Sequence, residues 1–336
     1  MLNTVNTAVF FNLKHILCKL VMQKTLDELF SEFVKEKRAC TGLSETTLRG
    51  YEATFKLFRT LMPAIDINTL QKSAIVNFFE ILKTRPREVG KYKELRTGVR
   101  KSTVATYRSK LISFCDWLVN GEYIKVNPVK QIRGPYVKYE DRRWLNSDEV
   151  SRIFSALVLD KHWGNLFVKK RNIAMFVVLL CCGLRKSELI YLRIFDIDMK
   201  RKLLTVNGTT SKSKMDRVVP INSQVYNALQ DYLDERAKLQ PETEYLFVSD
   251  GGKRGFSEAG LKHLVQKVSD VSGVKFHAHR FRHTFAVNLL RSGVQLANLQ
   301  QLMGHRSFKM TCSYLRCLPS NMLMADLENL RVDNLV

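Results

Sequence analysis

The sequence predicts a mainly α-helical protein of two domains, with one small β hairpin in the second. Three observations carry this prediction. Apolar residues recur at helical spacing over most of the chain. Two short β-prone runs, 203–206 and 217–219, are separated only by polar, turn-rich residues. The chain has 336 residues, enough for about two domains, and a polar basic stretch near residue 140 interrupts the helical pattern.

The first block, 25–132, reads as helical. Leu26, Leu29, Phe30 and Phe33 share one helical face. Ser44 stands before a second pattern, Tyr51, Phe55, Leu57 and Phe58, which Pro63 ends. A third helix is expected over roughly 71–83, closed by Pro86. A fourth follows Ser102-Thr103, with Tyr107, Leu111, Phe114, Trp117 and Leu118 on its apolar face, and Asn127-Pro128 ends the block. Arg100, Lys101, Arg108 and Lys110 make that last helix a candidate for contact with a polyanion groove.

Residues 133–143 contain Gly134, Pro135 and several charges, and are expected to form an extended linker. Asn146 then opens a new helix, with Glu149 three residues on in a capping-box arrangement. The second block, 144–320, contains a buried helix over 173–182 and the hairpin already named. Residues 1–24 read as an N-terminal extension, with Met22 an alternative start. Residues 321–336 read as a tail whose apolar stripe, Met322, Leu323, Met324, Leu327 and Leu330, suits either a neighbouring protomer or its own domain.

Charge narrows the partner. Lys and Arg total 54 against 32 Asp and Glu, a net charge of +22. Such an excess favours a polyanion, with nucleic acid first and anionic membrane surface, acidic protein or rRNA behind it. The 45% hydrophobic content excludes a disordered chain. The longest apolar run, 173–182, is too short to span a membrane. No basic residue precedes the apolar Ala8-Val9-Phe10-Phe11, and no small-residue cleavage site follows it, which argues against a secretory signal. Seven cysteines at irregular spacing, without a CxxC pair, indicate neither a disulfide framework nor zinc, and fit a reducing compartment.

Five features of the second block carry chemistry. In Cys182-Gly183-Leu184-Arg185-Lys186-Ser187-Glu188-Leu189, Arg185 and Glu188 lie three apart, so Glu188 can brace the guanidinium. In isolation this reads better as a surface ion pair. Lys212, in the loop Thr209–Lys214, stands where a hairpin tip can reach a phosphate, but alone is an ordinary turn lysine. In His277-Ala278-His279-Arg280-Phe281-Arg282-His283-Thr284-Phe285-Ala286, His279 and Arg282 project together from a helix. Zinc does not fit this cluster: no cysteine or carboxylate lies at metal spacing, and two arginines are interleaved. Leu302-Met303-Gly304-His305 reads as a helix end followed by a histidine. Tyr314 follows nine residues later, and a lone tyrosine is ordinarily structural.

Together these residues form a set suited to phosphodiester transfer without a metal. Fixed cations are needed to meet negative charge developing on phosphorus. Arginine does so with a planar, permanently charged fork. A tyrosine with an ordinary pKa near 10 needs such a pocket to act as a nucleophile near neutral pH. A departing 5′ oxygen needs a proton, which a lysine can donate, and histidine holds or moves protons in this range.

The four boxes around Arg185, His279 and Arg282, His305 and Tyr314 resemble, in order and spacing, the signature boxes of the tyrosine recombinase (phage integrase) family. A basic hairpin lies between the first two, as in that family. The resemblance extends over 25–330 and is specific in 144–320. It implies a helical core-binding domain at 25–132 and a catalytic domain at 144–320, closing as a two-domain clamp around double-stranded DNA. It implies that Arg185 and Arg282 hold the scissile phosphate, Lys212 protonates the 5′ oxygen, His279 assists proton transfer and His305 bonds the phosphate. Tyr314 would form a 3′-phosphotyrosyl intermediate, with no metal, ATP or other cofactor. Lys212 is preferred to Lys214 because it lies five residues before Arg217, as the family lysine does. The resemblance also implies a monomer that acts as a synaptic tetramer on DNA, in the cytoplasm at a prokaryotic nucleoid, with no membrane partner. The short N-terminal extension differs from the arm-binding domain of larger phage integrases. Two alternatives stay open at this point: a type IB topoisomerase, distinguished by relaxing plasmid that lacks a recombination site, and a DNA-binding protein on an inactive scaffold.

Overall fold

A computed structural model describes residues 24–89, 93–136, 144–159, 163–210 and 214–317. The chain divides into two compact units, Met1–Lys138 and Tyr139–Val336. The expected extension at 1–24 lies outside the described residues apart from Lys24, the tail at 321–336 lies outside them entirely, and so does most of the expected linker.

The first unit begins where the chain can satisfy a helix end. The Thr25 hydroxyl accepts the Glu28 N–H, and the Glu28 carboxylate accepts the Thr25 N–H, which starts α1 (Leu26–Cys40). Ser44 caps α2 (Glu45–Leu61) in the same way through the Thr47 N–H. Helices α3 (Lys72–Thr84) and α4 (Lys101–Asn120) complete the bundle. Its core is aromatic. Phe30 stacks on Phe55 at 3.8 Å between centroids, and Phe114 stands edge-on to both.

Two expectations for this unit need correction. The all-helical reading missed an antiparallel hairpin, β1 (Pro86–Val89) and β2 (Glu94–Thr97), paired from Pro86 with Thr97 to Val89 with Glu94. Neither strand has a buried face, so no alternation of apolar and polar residues advertises it. The basic face proposed for α4 is also partly committed elsewhere. Arg108 donates to the carbonyls of Ile132 and Val129, and Lys110 donates to the Gly50 carbonyl at 2.8 Å. Burial lowers the Lys110 pKa, as expected for an ammonium turned inward. Arg100 and Lys101 remain for an outside partner.

The second unit is built around α6 (Leu166–Cys182), which starts earlier than the sequence pattern suggests. Asn165 caps it by accepting the Val168 N–H at 2.8 Å. The polar run Lys169-Lys170-Arg171-Asn172 conceals its first turns in the sequence, yet Arg171 and Asn172 are buried and bonded to each other. Around α6 pack α8 (Ser223–Leu239), α10 (Ala278–Arg291) and α5 (Ser147–Leu159). Asn146 and Glu149 cap α5 reciprocally. A short helix, α7 (Lys186–Ile190), precedes an antiparallel sheet in the order β3 (Ile197–Asp198), β4 (Leu203–Val206), β5 (Arg217–Pro220). Helices α9 (Glu258–Ser272), α11 (Leu296–Met303) and α12 (Phe308–Cys312) follow the strands. Among the described residues no helix is long and apolar enough to cross a membrane.

Register in the sheet fixes one consequential side chain. Leu204 pairs with Val219 and Val206 with Arg217, and these four face inward while Val218 and Pro220 face out. Arg217 is therefore delivered, like the valine two residues on, into the interior.

Candidate active site

Glu188 organises the centre of the second unit. It is the third residue of α7, and its carboxylate accepts the backbone N–H of Arg185, the residue that caps the helix, at 2.8 Å. The Arg185 guanidinium returns to the same carboxylate at 2.6 Å. Arg185 thus precedes α7 instead of beginning it, and its contact with Glu188 comes from cap geometry more than from a shared helical face. Arg217 grips Glu188 in a bidentate manner at 2.7 and 3.1 Å. Arg282, from α10, stands 3.8 Å away from it. Three guanidiniums thus surround one carboxylate, and among the described residues no other acid enters this group.

Backbone carbonyls at two helix C-termini hold the arginines. Gly183 ends α6 with φ +61° and Gly304 ends α11 with φ +60°, left-handed conformations that suit glycine. A Cβ at Gly183 would also meet the Phe285 ring at 2.3 Å. Arg282 donates to the Gly183 carbonyl at 2.6 Å and to the Met303 carbonyl. Arg217 donates to the Leu302 carbonyl and Arg185 to that of Gly304. The negative ends of two helix dipoles thus face the cations.

The electrostatics follow from this packing. Burial alone would raise the Glu188 carboxyl, but the bonds and charge of Arg217, with the Arg185 backbone N–H and guanidinium, hold it well below the usual carboxylate range. Arg282 is 1% exposed. Burial and the charge of Arg185 lower it to about 9, opposed by Glu188 and Tyr314. It stays cationic at neutral pH, in a setting where positive charge is in excess.

Beyond the arginines lies a row of rings. His305 follows the Gly304 turn, and its Nδ1 bonds the buried Thr311 hydroxyl at 2.9 Å. Its ring lies nearly parallel to that of Tyr314, 6.2 Å between centroids. Tyr314 sits just after α12, with its side chain in a small core made by α10 and α11, and is 1% exposed. Its hydroxyl meets Nδ1 of His283 at 2.9 Å. The His279 ring stands edge-on to His283 at 4.5 Å, at the solvent end of the row.

The fold therefore brings Arg185, His279, Arg282, His305 and Tyr314 into one continuous group. Lys212 lies at 211–213, outside the described residues. At the neck of that loop Asp216 accepts the Gly208 N–H at 2.6 Å. Three participants escaped the sequence reading. Arg217 served there only as a spacing mark, and its inward place in an alternating strand was the available signal. His283 lay inside a quoted motif without a role, although it follows His279 by one helical turn. Thr311 gave no signal. Among the described residues no three His, Cys, Asp or Glu side chains gather to hold a metal.

The site sets a buried tyrosine hydroxyl beside imidazoles and a group of guanidiniums. Comparison with known proteins gives the family. Residues 143–320 match the phage integrase family. The chain is 31% identical over 258 residues to tyrosine recombinase XerC of Thermodesulfovibrio yellowstonii, spanning 72% of this chain and 83% of that protein. It is 26% identical over 299 residues to XerD of Listeria monocytogenes serotype 4b, spanning 86% and 94%. Its fold resembles the Tn1549 transposon integrase solved with transposon right end DNA, with TM-score 0.71, 20% identity and coverage of 91% and 99%. It also resembles XerH solved with palindromic difH substrate, with TM-score 0.68, 17% identity and coverage of 88% and 83%. The chain belongs to the phage integrase family and is a tyrosine-type site-specific recombinase, an enzyme that breaks and rejoins DNA strands.

Proposed function

We propose that Tyr314 is the nucleophile of strand cleavage, with Arg185 and Arg282 holding the scissile phosphate and His305 bonding one of its oxygens. The observation that supports this reading best is the Tyr314 hydroxyl, buried among imidazoles next to a group of three guanidiniums that share one carboxylate. Among the described residues that group is net positive. A phosphodiester brings one negative charge, and the pentacoordinate transition state adds another.

In the forward step the phenolic oxygen attacks phosphorus and loses its proton. The P–O5′ bond breaks, and the departing oxygen takes a proton from Lys212, the general acid on this reading. The product is a 3′-phosphotyrosyl bond and a free 5′ hydroxyl. Attack by another 5′ hydroxyl reverses the steps and joins new strands. The bond energy is kept in the phosphotyrosyl link, so joining needs no nucleotide cofactor.

On the same reading, the unit Met1–Lys138 contributes DNA contacts through Arg100 and Lys101, His279 exchanges protons with solvent, and the active assembly is a tetramer on two DNA sites. The outcome is integration, excision, inversion or resolution of a mobile element or replicon. The enzyme works in the cytoplasm, at the nucleoid.

The test is a covalent trap. Purified protein is incubated with fragmented DNA of its host, denatured in detergent and resolved by gel. The wild type should retain covalently bound DNA, whose sequence gives the site. Tyr314→Phe should bind that site yet form no adduct. An adduct that survives the substitution would overturn the assignment. Relaxation of plasmid lacking the recovered site would favour a topoisomerase.

A further inference from the structure

We infer that His283 is the proton acceptor for Tyr314, an inference that rests on Tyr314 being the nucleophile. His283 Nδ1 lies 2.9 Å from the phenolic oxygen, the atom that reacts. His283 is 7% exposed, while His279, against it at 4.5 Å, lies open to solvent. The row His279, His283, Tyr314 thus leads from water to the buried hydroxyl. His279 and His283 stand one turn apart on α10, a rigid helix anchored by the buried Phe281 and Phe285.

The chemistry favours an acceptor at this place. A buried phenol that attacks phosphorus must shed its proton, and excess cationic charge nearby makes that loss easier but receives no proton itself. Arginine cannot take the proton. His305 is bonded through Nδ1 to Thr311, and its ring lies parallel to that of the tyrosine. His283 meets the phenolic hydroxyl. In the neutral tautomer with the proton on Nε2, Nδ1 accepts the phenolic O–H. As the oxygen pair forms the bond to phosphorus, the proton passes to Nδ1. The P–O5′ pair leaves with oxygen, which is protonated from the other side of the site. In rejoining, the tyrosine oxygen departs and recovers its proton from His283, and His279 offers exchange with solvent between the two steps. Among the described residues, the charged and titratable groups around the pair include His279 and Arg282 on α10, His305 after α11, Arg185 and Glu188 at α7, Arg217 on β5, and Cys317 beyond α12.

The experiment is single-turnover cleavage of a duplex carrying the site recovered from the covalent trap, nicked so that the cleaved fragment escapes. Rates are measured between about pH 5.5 and about pH 8.5, around the ordinary histidine pKa near 6.5. Wild type should slow as the pH falls through that range, because protonated His283 accepts nothing. His283→Asn places an amide near the Nδ1 position without a basic nitrogen. It should cleave about 10²-fold more slowly and lose the acid limb. A second substrate replaces the bridging 5′ oxygen with sulfur, which leaves without a proton. It should restore Lys212→Ala and leave His283→Asn slow. Wild-type rates in His283→Asn, a uniform loss with the acid limb intact, or rescue by sulfur would each overturn the inference. Tyr314→Phe in the same assay keeps the two readings apart. Cleavage by that variant refutes the nucleophile, whereas cleavage that needs Tyr314 but ignores His283 refutes this inference alone.

Discussion

Helix α10 carries two buried arginines two residues apart, and they enter different surroundings. Arg280 donates to the carbonyls of Lys275 and Trp144 and pairs with Glu149 at 3.1 Å. Among the described residues that is one guanidinium for one carboxylate, and Glu149 is also the residue that caps α5. Arg282 enters a group in which three guanidiniums share Glu188. The first arrangement pairs one guanidinium with one carboxylate among the described residues and ties the start of the second unit to α10. The second holds more positive charge than its own acid balances, and its carbonyl contacts orient the cations without neutralising them. A folded chain keeps such an excess at a cost in stability, which an anionic substrate relieves.

Substitutions at the two arginines should therefore separate stability from chemistry. Arg280→Met breaks the buried pair with Glu149. Denaturant titration should show a loss of about 3–5 kcal/mol, while cleavage per folded molecule stays near wild type. Arg282→Gln should lower the cleavage rate by about 10²–10³-fold in single turnover, with the smaller stability loss of the two. Removal of its hydrogen bonds is offset by relief of the burial cost and of the Arg185 repulsion that together lower it to about 9. If Arg280→Met removed activity from a fully folded protein, or Arg282→Gln only unfolded it, the contrast would fail.

Glu188 sharpens the comparison through pH. Its carboxyl is held below the usual value of 4.5, so it binds fewer protons folded than unfolded. The stabilisation is fully present above about pH 4.5 and is lost as the pH falls towards the folded value. The stability gap between wild type and Glu188→Gln should be widest near neutral pH and shrink below about pH 4. A gap that is flat from about pH 7 to about pH 3 would contradict the charged role. The smallest expected effect is that of inorganic phosphate. At ten times its Kd, phosphate should stabilise the wild type by about 1.4 kcal/mol, and Arg282→Gln by much less, as read from the shift in thermal unfolding.

The sequence made helices with caps and one-sided apolar patterns legible: Thr25, Ser44 and Asn146 mark helix starts that the structure has. It concealed elements that do not rely on a buried face. The hairpin 86–97 is held by backbone bonds with both faces open, so no pattern announces it. The first turns of α6 were hidden because Arg171 and Asn172 are buried polar residues that satisfy each other. In the site, residues carried by motif spacing could be gathered from sequence alone: Arg185, His279, Arg282, His305 and Tyr314. Arg217 and Thr311 act through partners far from them in sequence or through a single hydroxyl contact, and only the fold reveals such pairings. Arg108 and Lys110, candidates for groove contact in the sequence, also turn to backbone carbonyls, which only the fold reveals.

The account rests most heavily on the bond to Tyr314, and peptide mapping of the trapped adduct tests it directly. After nuclease and protease digestion, mass spectrometry should find a 3′-linked nucleotide on the peptide containing Tyr314 and on no other tyrosine peptide. A nucleotide on a different tyrosine, or on serine, would contradict the account.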